Sequence, residues 1–120
     1  MLRNRPEVQV IAEASDGMEA VQMAGQFQPD LILIDVGLPK LSGINAARQI
    51  SKLAPKAKIV FVTQESSPDI AQVAFSTGAV GYVMKMCAGG DLLPAVDAAL
   101  DGRQFLSSVL SGPVQNFSRG

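Results

Sequence analysis

Two short segments of this chain are apolar almost without interruption, and they constrain its fold more than any other feature. DLILIDV (30–36) and KIVFVTQ (58–64) show no alternation of apolar and polar residues. Such runs are typical of strands that are covered on both faces, as in a parallel sheet flanked by helices. The sequence therefore predicts an α/β fold with both segments in the interior of one sheet.

Two more strands and four helices alternate with these segments. VQVIAEA (8–14) and the shorter GYVMK (81–85) are rich in β-branched and apolar residues, as strands are. The intervening segments carry apolar residues at helical spacing, with Ser, Asp, Pro or Gly where helices start or stop. The order β-α-β-α-β-α-β-α predicts a parallel sheet of four strands with helices packed on its faces. The predicted helices are 16–28, 42–54, 67–77 and 91–100.

The apolar stripes of the first three predicted helices are expected to face the sheet. Together with the strands they provide one core, and a chain of 120 residues with 48% hydrophobic residues is long enough to bury it. The stripes consist of Ala20, Val21, Ala24 and Phe27, then Ile44, Ala47, Ile50 and Leu53, then Ile70, Val73 and Ala74.

The charge balance of the chain argues against several partners. It has 10 basic and 11 acidic residues, and a net charge of −1 gives no basic surface for nucleic acid or an anionic membrane. The longest apolar runs are too short to span a bilayer, and a single cysteine, Cys87, excludes an intramolecular disulfide. We therefore expect a cytoplasmic domain that itself binds neither nucleic acid nor membrane.

The lack of histidine removes further classes of function. None of the 120 residues is a histidine, which excludes hydrolysis with a histidine base and most zinc chemistry. The glycines of GAVGYV and CAGGDL lack the spacing of a phosphate-binding loop, which argues against a nucleotide-using enzyme. We expect a protein that is not an enzyme.

Polar side chains stand where three of the predicted strands end. Asp35 follows LILI, Thr63 closes IVFVT and Lys85 closes GYVMK, while Gln64 and Glu65 come directly after Thr63. Each alone has an ordinary explanation, as a cap carboxylate, a β-branched strand residue and a solvated lysine. At the carboxyl edge of one parallel sheet they would instead suit a phosphoryl group. A carboxylate can accept that group, a hydroxyl can hydrogen-bond it and an ammonium can neutralise it.

Several motifs resemble the receiver domain of bacterial two-component response regulators. They are ASDGMEAV, PDLILIDVGLPKLSGINAARQI, IVFVTQES, GAVGYVMK and the helix ending ALDGRQFLS. The likeness runs from Val8 to Ser108 and is greatest to receivers that precede a LuxR-type DNA-binding domain. It implies a flavodoxin-like sheet, a sensor histidine kinase as partner and, in the full-length protein, a DNA-binding domain that responds to phosphorylation.

The resemblance also implies a role for individual residues. Asp35 would be the phosphoacceptor, Thr63 the switch hydroxyl and Lys85 the lysine that contacts the phosphate. Gly37 would offer its backbone carbonyl to Mg²⁺. Tyr82 would be the aromatic switch, although it could instead be an exposed aromatic of an ordinary strand.

The chain departs from the family at its start. A receiver begins with a strand that ends in two acidic residues, followed by a first helix, and this chain begins after both. It therefore resembles an N-terminally truncated receiver at 1–108, with a Ser-, Gly- and Pro-containing tail at 109–120 that we expect to be flexible. Without the acidic pair we expect weak or absent Mg²⁺ binding and poor phosphorylation. The other available carboxylates are Glu7, Glu13, Asp16 and Glu19, of which Glu13 is the nearest candidate.

The missing strand leaves two ways to complete the sheet, because it would occupy the centre of a receiver. Either VQVIAEA pairs with DLILIDV in a four-stranded sheet, or a second chain lends a strand in an exchanged dimer. We favour the first, with a homodimer in addition. The loss of the first helix uncovers apolar surface where DLLPAVDAAL packs, and such surfaces tend to find partners.

Three functions from different classes remain open. The first is a signalling receiver phosphorylated on Asp35. The second is an aspartate-nucleophile phosphatase of the haloacid dehalogenase type, which needs a second aspartate where this chain has Gly37. The third is a degenerate receiver-like module that binds partner proteins without phosphorylation. The receiver accounts for the largest number of residues.

Overall fold

The computed structural model of the chain describes residues 10–11, 16–37, 40–64 and 67–107. These residues form one parallel sheet of five strands in the order β1-β2-β3-β4-β5, together with four α-helices. A 3₁₀ turn at Lys85–Cys87 joins β4 to α4. The strands are β1 Val10–Ile11, β2 Leu31–Ile34, β3 Lys58–Thr63, β4 Gly81–Met84 and β5 Phe105–Leu106. The helices are α1 Gly17–Phe27, α2 Gly43–Leu53, α3 Pro68–Ser76 and α4 Ala88–Leu100.

The predicted helix boundaries rest on capping residues that the structure bears out. Asp16, Ser42 and Ser67 each accept a hydrogen bond from a backbone N–H in the first turn of the helix that follows. Gly78 and Gly102, just beyond α3 and α4, have φ angles of 100° and 79°, a region that favours glycine. Helix α4 begins earlier than predicted, because the 3₁₀ turn leads directly into it.

The sheet is covered on both faces, as the apolar runs predicted. Along β3, Ile59 and Phe61 pack in the same buried cluster as residues of α1, α2 and α3, whereas Val60 packs with residues of α4. Successive strand residues thus point to opposite faces and meet a helix layer on each side. Within the described residues, α4 is the only α-helix in the second layer.

The four predicted strands are confirmed and the pairing of the first strand is the one we favoured, but the described residues form a sheet of five strands rather than the expected four. Val10 and Ile11 pair in parallel with Leu31 and Ile32, so β1 lies beside β2 of its own chain. The short strand β5 was not predicted. It pairs with β4 at the edge of the sheet, and two residues are too few to show a period in the sequence.

Three residues predicted to face the core are instead exposed. Phe27 and Leu53 are the last residues of α1 and α2, and their side chains are 44% and 51% exposed. The residues of the same stripes nearer the middle of each helix, Ala24 and Ile50, are fully buried. Val73 is 41% exposed because α3 buries Ala71 and Ala74, a narrower stripe than predicted.

Some predictions fall outside the described residues, among them the tail at 109–120 and the carboxylates of Glu7 and Glu13. In the part of the chain that the structure describes, no helix has the length and apolar character needed to cross a membrane.

Candidate functional site

The three polar residues singled out at strand ends come together in the structure. Asp35 follows β2, Thr63 is the last residue of β3 and Lys85 follows β4, so all three lie at the carboxyl edge of adjacent parallel strands. With Gly37 and Gln64 they line an open cleft of about 210 Å³. This is the edge of a parallel sheet at which ligands gather.

The carboxylate of Asp35 is held by groups from separate parts of the fold. The Lys85 ammonium lies 2.7 Å from Oδ2, and the backbone N–H of Gly37 donates to Oδ1 at 2.9 Å. The Thr63 hydroxyl also hydrogen-bonds to this carboxylate. One lysine, one amide and one hydroxyl therefore converge on a single acid.

These contacts set the protonation of Asp35. Partial burial raises the pKa of the carboxyl, but hydrogen bonds from Lys85, Gly37 and Thr63 and the positive charge of Lys85 together lower it below its ordinary value. Asp35 is therefore ionised at neutral pH. Its side chain is 29% exposed and that of Lys85 is 46% exposed, so a reactant in solvent can reach the pair.

Thr63 and Lys85 are placed by the register of two strands. Thr63 pairs with Met84 across β3 and β4, and Lys85 is the next residue along the chain. Thr63 is only 1% exposed, so the sheet fixes its side chain. Thr63 is thus the last residue of β3, and Lys85 is the first residue after the neighbouring strand β4.

Tyr82 lies in the core, which excludes an exposed strand aromatic. It is fully buried in the cluster formed with α1, α2 and α3. Its ring centroid lies 6.3 Å from that of Phe61, with the planes tilted by 48°. Strand β4 is buried along its whole length, so neither of its faces offers an exposed position.

The acidic residues near the start of the described chain do not join the cleft. Asp16 caps α1 and pairs with Lys40 at 3.5 Å, and Glu19 belongs to the first turn of the same helix. Neither lines the cleft with Asp35. Asp16 is therefore occupied as a helix cap, and Glu19 lies in the helix that it caps.

The described residues do not fit a Mg²⁺ site. Magnesium requires near-octahedral oxygen ligands, and its protein sites commonly include more than one acidic or phosphate oxygen group. Within the described ranges no group of three or more His, Cys, Asp or Glu residues is placed to hold a metal ion. Both oxygens of Asp35 already have partners, and Gly37 contributes its N–H to one of them.

Gln64 lines the cleft, although the sequence reasoning assigned it no role. Its position directly after Thr63 is the signal that could have identified it. Glu65, the residue after it, lies outside the described part of the chain.

Comparisons with known proteins agree with this arrangement. A family model described as the response regulator receiver domain matches residues 1–97. The transcriptional regulatory protein LiaR of Bacillus subtilis is 34% identical over 113 residues, which cover 94% of this chain and 54% of LiaR. PdtaR of Mycobacterium tuberculosis, also named a transcriptional regulatory protein, is 36% identical over 92% of this chain and 53% of its own length. The chain thus spans about half the length of these relatives.

Solved structures of response regulators also superpose on this chain. A LuxR-family two-component response regulator from an Aurantimonas species superposes with a TM-score of 0.82 and 32% identity, covering 92% of this chain and 79% of that chain. The response regulator domain of CheB from Thermotoga maritima gives a TM-score of 0.67 and 29% identity, covering 73% of each chain.

Proposed function

We propose that this chain, which belongs to the response regulator receiver family, receives a phosphoryl group on Asp35 within a two-component signalling system. The observation that carries this proposal is the arrangement around Asp35. An ionised, accessible carboxylate lies within reach of an ammonium and a hydroxyl at one edge of the sheet. This set of groups suits the attack of a carboxylate on phosphorus.

The proposed reaction is a direct transfer between two residues. A carboxylate oxygen of Asp35 forms a bond to the phosphorus of a phosphohistidine on a sensor histidine kinase, and the P–N bond breaks. The electron pair of that bond stays on the histidine nitrogen, which takes a proton from solvent. The lowered pKa of Asp35 supports this role, because only the ionised carboxyl is a nucleophile.

The neighbouring side chains then have separate tasks. Lys85 exchanges its contact with Oδ2 for one with a phosphoryl oxygen and neutralises part of the added charge. Thr63 donates its hydroxyl to another phosphoryl oxygen. Tyr82, buried beside Phe61, is the aromatic residue whose packing changes with that movement.

The partners belong to the same proposal. The kinase is cytoplasmic or has a cytoplasmic catalytic part, and this chain acts there as a receiver rather than an enzyme. In a longer protein the change would pass to a DNA-binding domain, as the names of relatives such as LiaR suggest for those proteins. A homodimer would form on the α4 side of the sheet, where Leu33 and Val62 are only partly buried and Leu93 is 52% exposed.

The second candidate is an interaction module that works without phosphorylation. It is favoured by the poor fit to Mg²⁺ among the described residues, where the ammonium of Lys85 already balances the charge of Asp35. Phosphoryl transfer usually relies on a metal ion for charge neutralisation. In this reading the Asp35–Lys85 pair is a fixed part of the fold, and Mg²⁺ binds weakly or not at all.

Treatment of the chain with acetyl phosphate, with and without Mg²⁺, separates the two candidates. Intact-mass measurement of the wild type, Asp35→Asn and the matched control Asp30→Asn gives the fraction modified. Under the receiver proposal a fraction of the wild type and an equal fraction of Asp30→Asn gain one phosphoryl group, and Asp35→Asn gains none. An unmodified wild type that shows no heat of Mg²⁺ binding in calorimetry would support the interaction module.

A further inference from the structure

The end of the strand that leads to Lys85 is held by a side chain from the last described residue of the chain. Ser107 follows β5 and is fully buried. Its backbone N–H donates to the carbonyl of Tyr82 at 3.0 Å, as in a parallel ladder. Its hydroxyl oxygen accepts the backbone N–H of Met84 at 2.9 Å. Ser107 therefore makes two hydrogen bonds to the last part of β4.

The second of these bonds takes the place of a ladder bond. In a regular parallel pair the N–H of Met84 would donate to a main-chain carbonyl of the next strand. Strand β5 ends at Leu106, and a hydroxyl serves as the acceptor in its place. Because Met84 is only 3% exposed, its N–H would otherwise be buried without a partner.

This bond lies close to the candidate site. Met84 pairs with Thr63 on its other side and immediately precedes Lys85, whose ammonium contacts Asp35. On one side of the end of β4, the last residue of β3 supplies the hydroxyl that contacts Asp35, and on the other side the residue after β5 supplies the hydroxyl that holds Met84. The position of the Lys85 backbone therefore depends on both.

We propose that Ser107 is a positioning residue for the Asp35–Lys85 pair. Its hydroxyl fixes the end of β4 from which Lys85 reaches the carboxylate. It thereby couples the charge at Asp35 to the point where the described chain leads into residues 108–120. The geometric coupling stands by itself, whereas its use in signalling rests on the proposed function.

Hydrogen exchange of the Met84 amide in the full 120-residue chain tests the local contact. We expect Ser107→Ala to raise the exchange rate at least about tenfold, because a buried N–H loses its acceptor. Ser51→Ala is the matched control. The Ser51 hydroxyl also makes one partly buried bond to the backbone, donating to the carbonyl of Thr77 at 2.9 Å. Its loss should leave the Met84 rate unchanged.

A pair of nearly isosteric variants covers the case in which the alanine variant does not fold. Ser107→Thr and Ser107→Val add the same volume to a buried position, but only threonine keeps a hydroxyl. We expect the Met84 amide to stay protected in the threonine variant and to exchange faster in the valine variant. Equal rates in the two variants would overturn the assignment.

The coupling to the site is tested by a double-mutant cycle on the same exchange rate. Asp35→Asn removes the charge that anchors Lys85 and should speed exchange at Met84 several-fold when Ser107 is present. In the Ser107→Ala background the same change should have less than about a twofold effect, because the strand end is already released. An equal factor in both backgrounds would show that the two contacts are independent.

The outcome does not depend on phosphorylation. A coupled cycle in a chain that never accepts a phosphoryl group would leave the positioning role intact and reject the receiver proposal. Phosphorylation of Asp35 without coupling would give the reverse result.

Discussion

Asp16 and Asp35 are two carboxylates with the same kinds of partner in different places of the fold. Each accepts a hydrogen bond from a backbone N–H a few residues downstream, from Glu19 and from Gly37 respectively. Each also has a lysine ammonium nearby, at 3.5 Å for Asp16 and 2.7 Å for Asp35. In both cases the pKa of the carboxyl is lowered.

The difference lies in where the partners come from. The pKa of Asp16 is lowered chiefly by the Glu19 N–H, a helix-cap contact, and its lysine, Lys40, is 72% exposed. A surface pair of that kind contributes little. Asp35 is contacted by Thr63 at the end of β3 and by Lys85 in the turn after β4, which the sheet brings together. The main partner of Asp16 belongs to the helix that it caps, whereas two of the groups that hold Asp35, those of Thr63 and Lys85, are distant in the sequence.

The largest expected difference between the two residues is in modification by acetyl phosphate. We expect the modified fraction of the wild type to be small without the acidic pair. Asp35→Asn should abolish it, because the nucleophile is gone, while Asp16→Asn should leave it unchanged. Intact-mass measurement after equal incubation gives both values. If Asp16→Asn also lost the modification, the contrast between cap and site would be wrong.

The next largest difference should come from alanine substitutions at Gly43, which packs against the backbone of Asp35, and at Gly17. A Cβ on Gly43 would overlap the backbone oxygen of Asp35, whereas one on Gly17 would overlap that of Leu41. We expect each alanine variant to lose about 1–3 kcal/mol of unfolding free energy in urea, because backbone must move. Only Gly43→Ala should also disturb the Asp35 carboxyl resonance.

Gly25→Ala serves as the control for both variants. A Cβ there has ordinary space beside Leu53, and alanine in a helix interior should stabilise α1 by roughly 0.5–1 kcal/mol. A disturbed Asp35 resonance in Gly17→Ala would show that backbone movement at Leu41 also reaches Asp35, so that the two glycine contacts are not independent.

The sequence predicted the parts of this contrast that depend on local pattern. The apolar runs predicted strands covered on both faces, and the polar residues at the ends of the predicted strands identified Asp35, Thr63 and Lys85 as candidate site residues. The cap at Asp16 followed from its position before a helical stripe. The contact from Ser107 to Met84 could not be predicted, because it depends on which residue of a short irregular segment faces the strand end.

The effect of each lysine on its carboxyl is the third test. Lys85→Met should raise the pKa of Asp35, because burial, which raises it, is then opposed only by the Gly37 and Thr63 bonds. Lys40→Met should raise the pKa of Asp16 by less, because the Glu19 N–H remains as the main cause of its lowering. Carboxyl ¹³C NMR titration measures both. Equal shifts would remove the distinction between the two pairs.

The smallest effect should appear in the stability of the chain at acid pH. A carboxyl whose pKa is lower in the folded than in the unfolded state, where it is about 3.9, stabilises the fold above that value. The stabilisation is lost as the pH falls through the folded pKa, so the unfolding free energy of the wild type should fall more steeply below about pH 5 than that of Asp35→Asn. Because Lys85 is half exposed and solvent screens the pair, we expect a difference of at most about 1 kcal/mol.

Asp16→Asn should reduce the pH dependence of the unfolding free energy less than Asp35→Asn does, since the lysine beside Asp16 lies farther away and in solvent. Urea unfolding at several pH values measures the slopes, and a wild-type profile parallel to that of Asp35→Asn would mean that the Asp35 contacts do not stabilise the folded state.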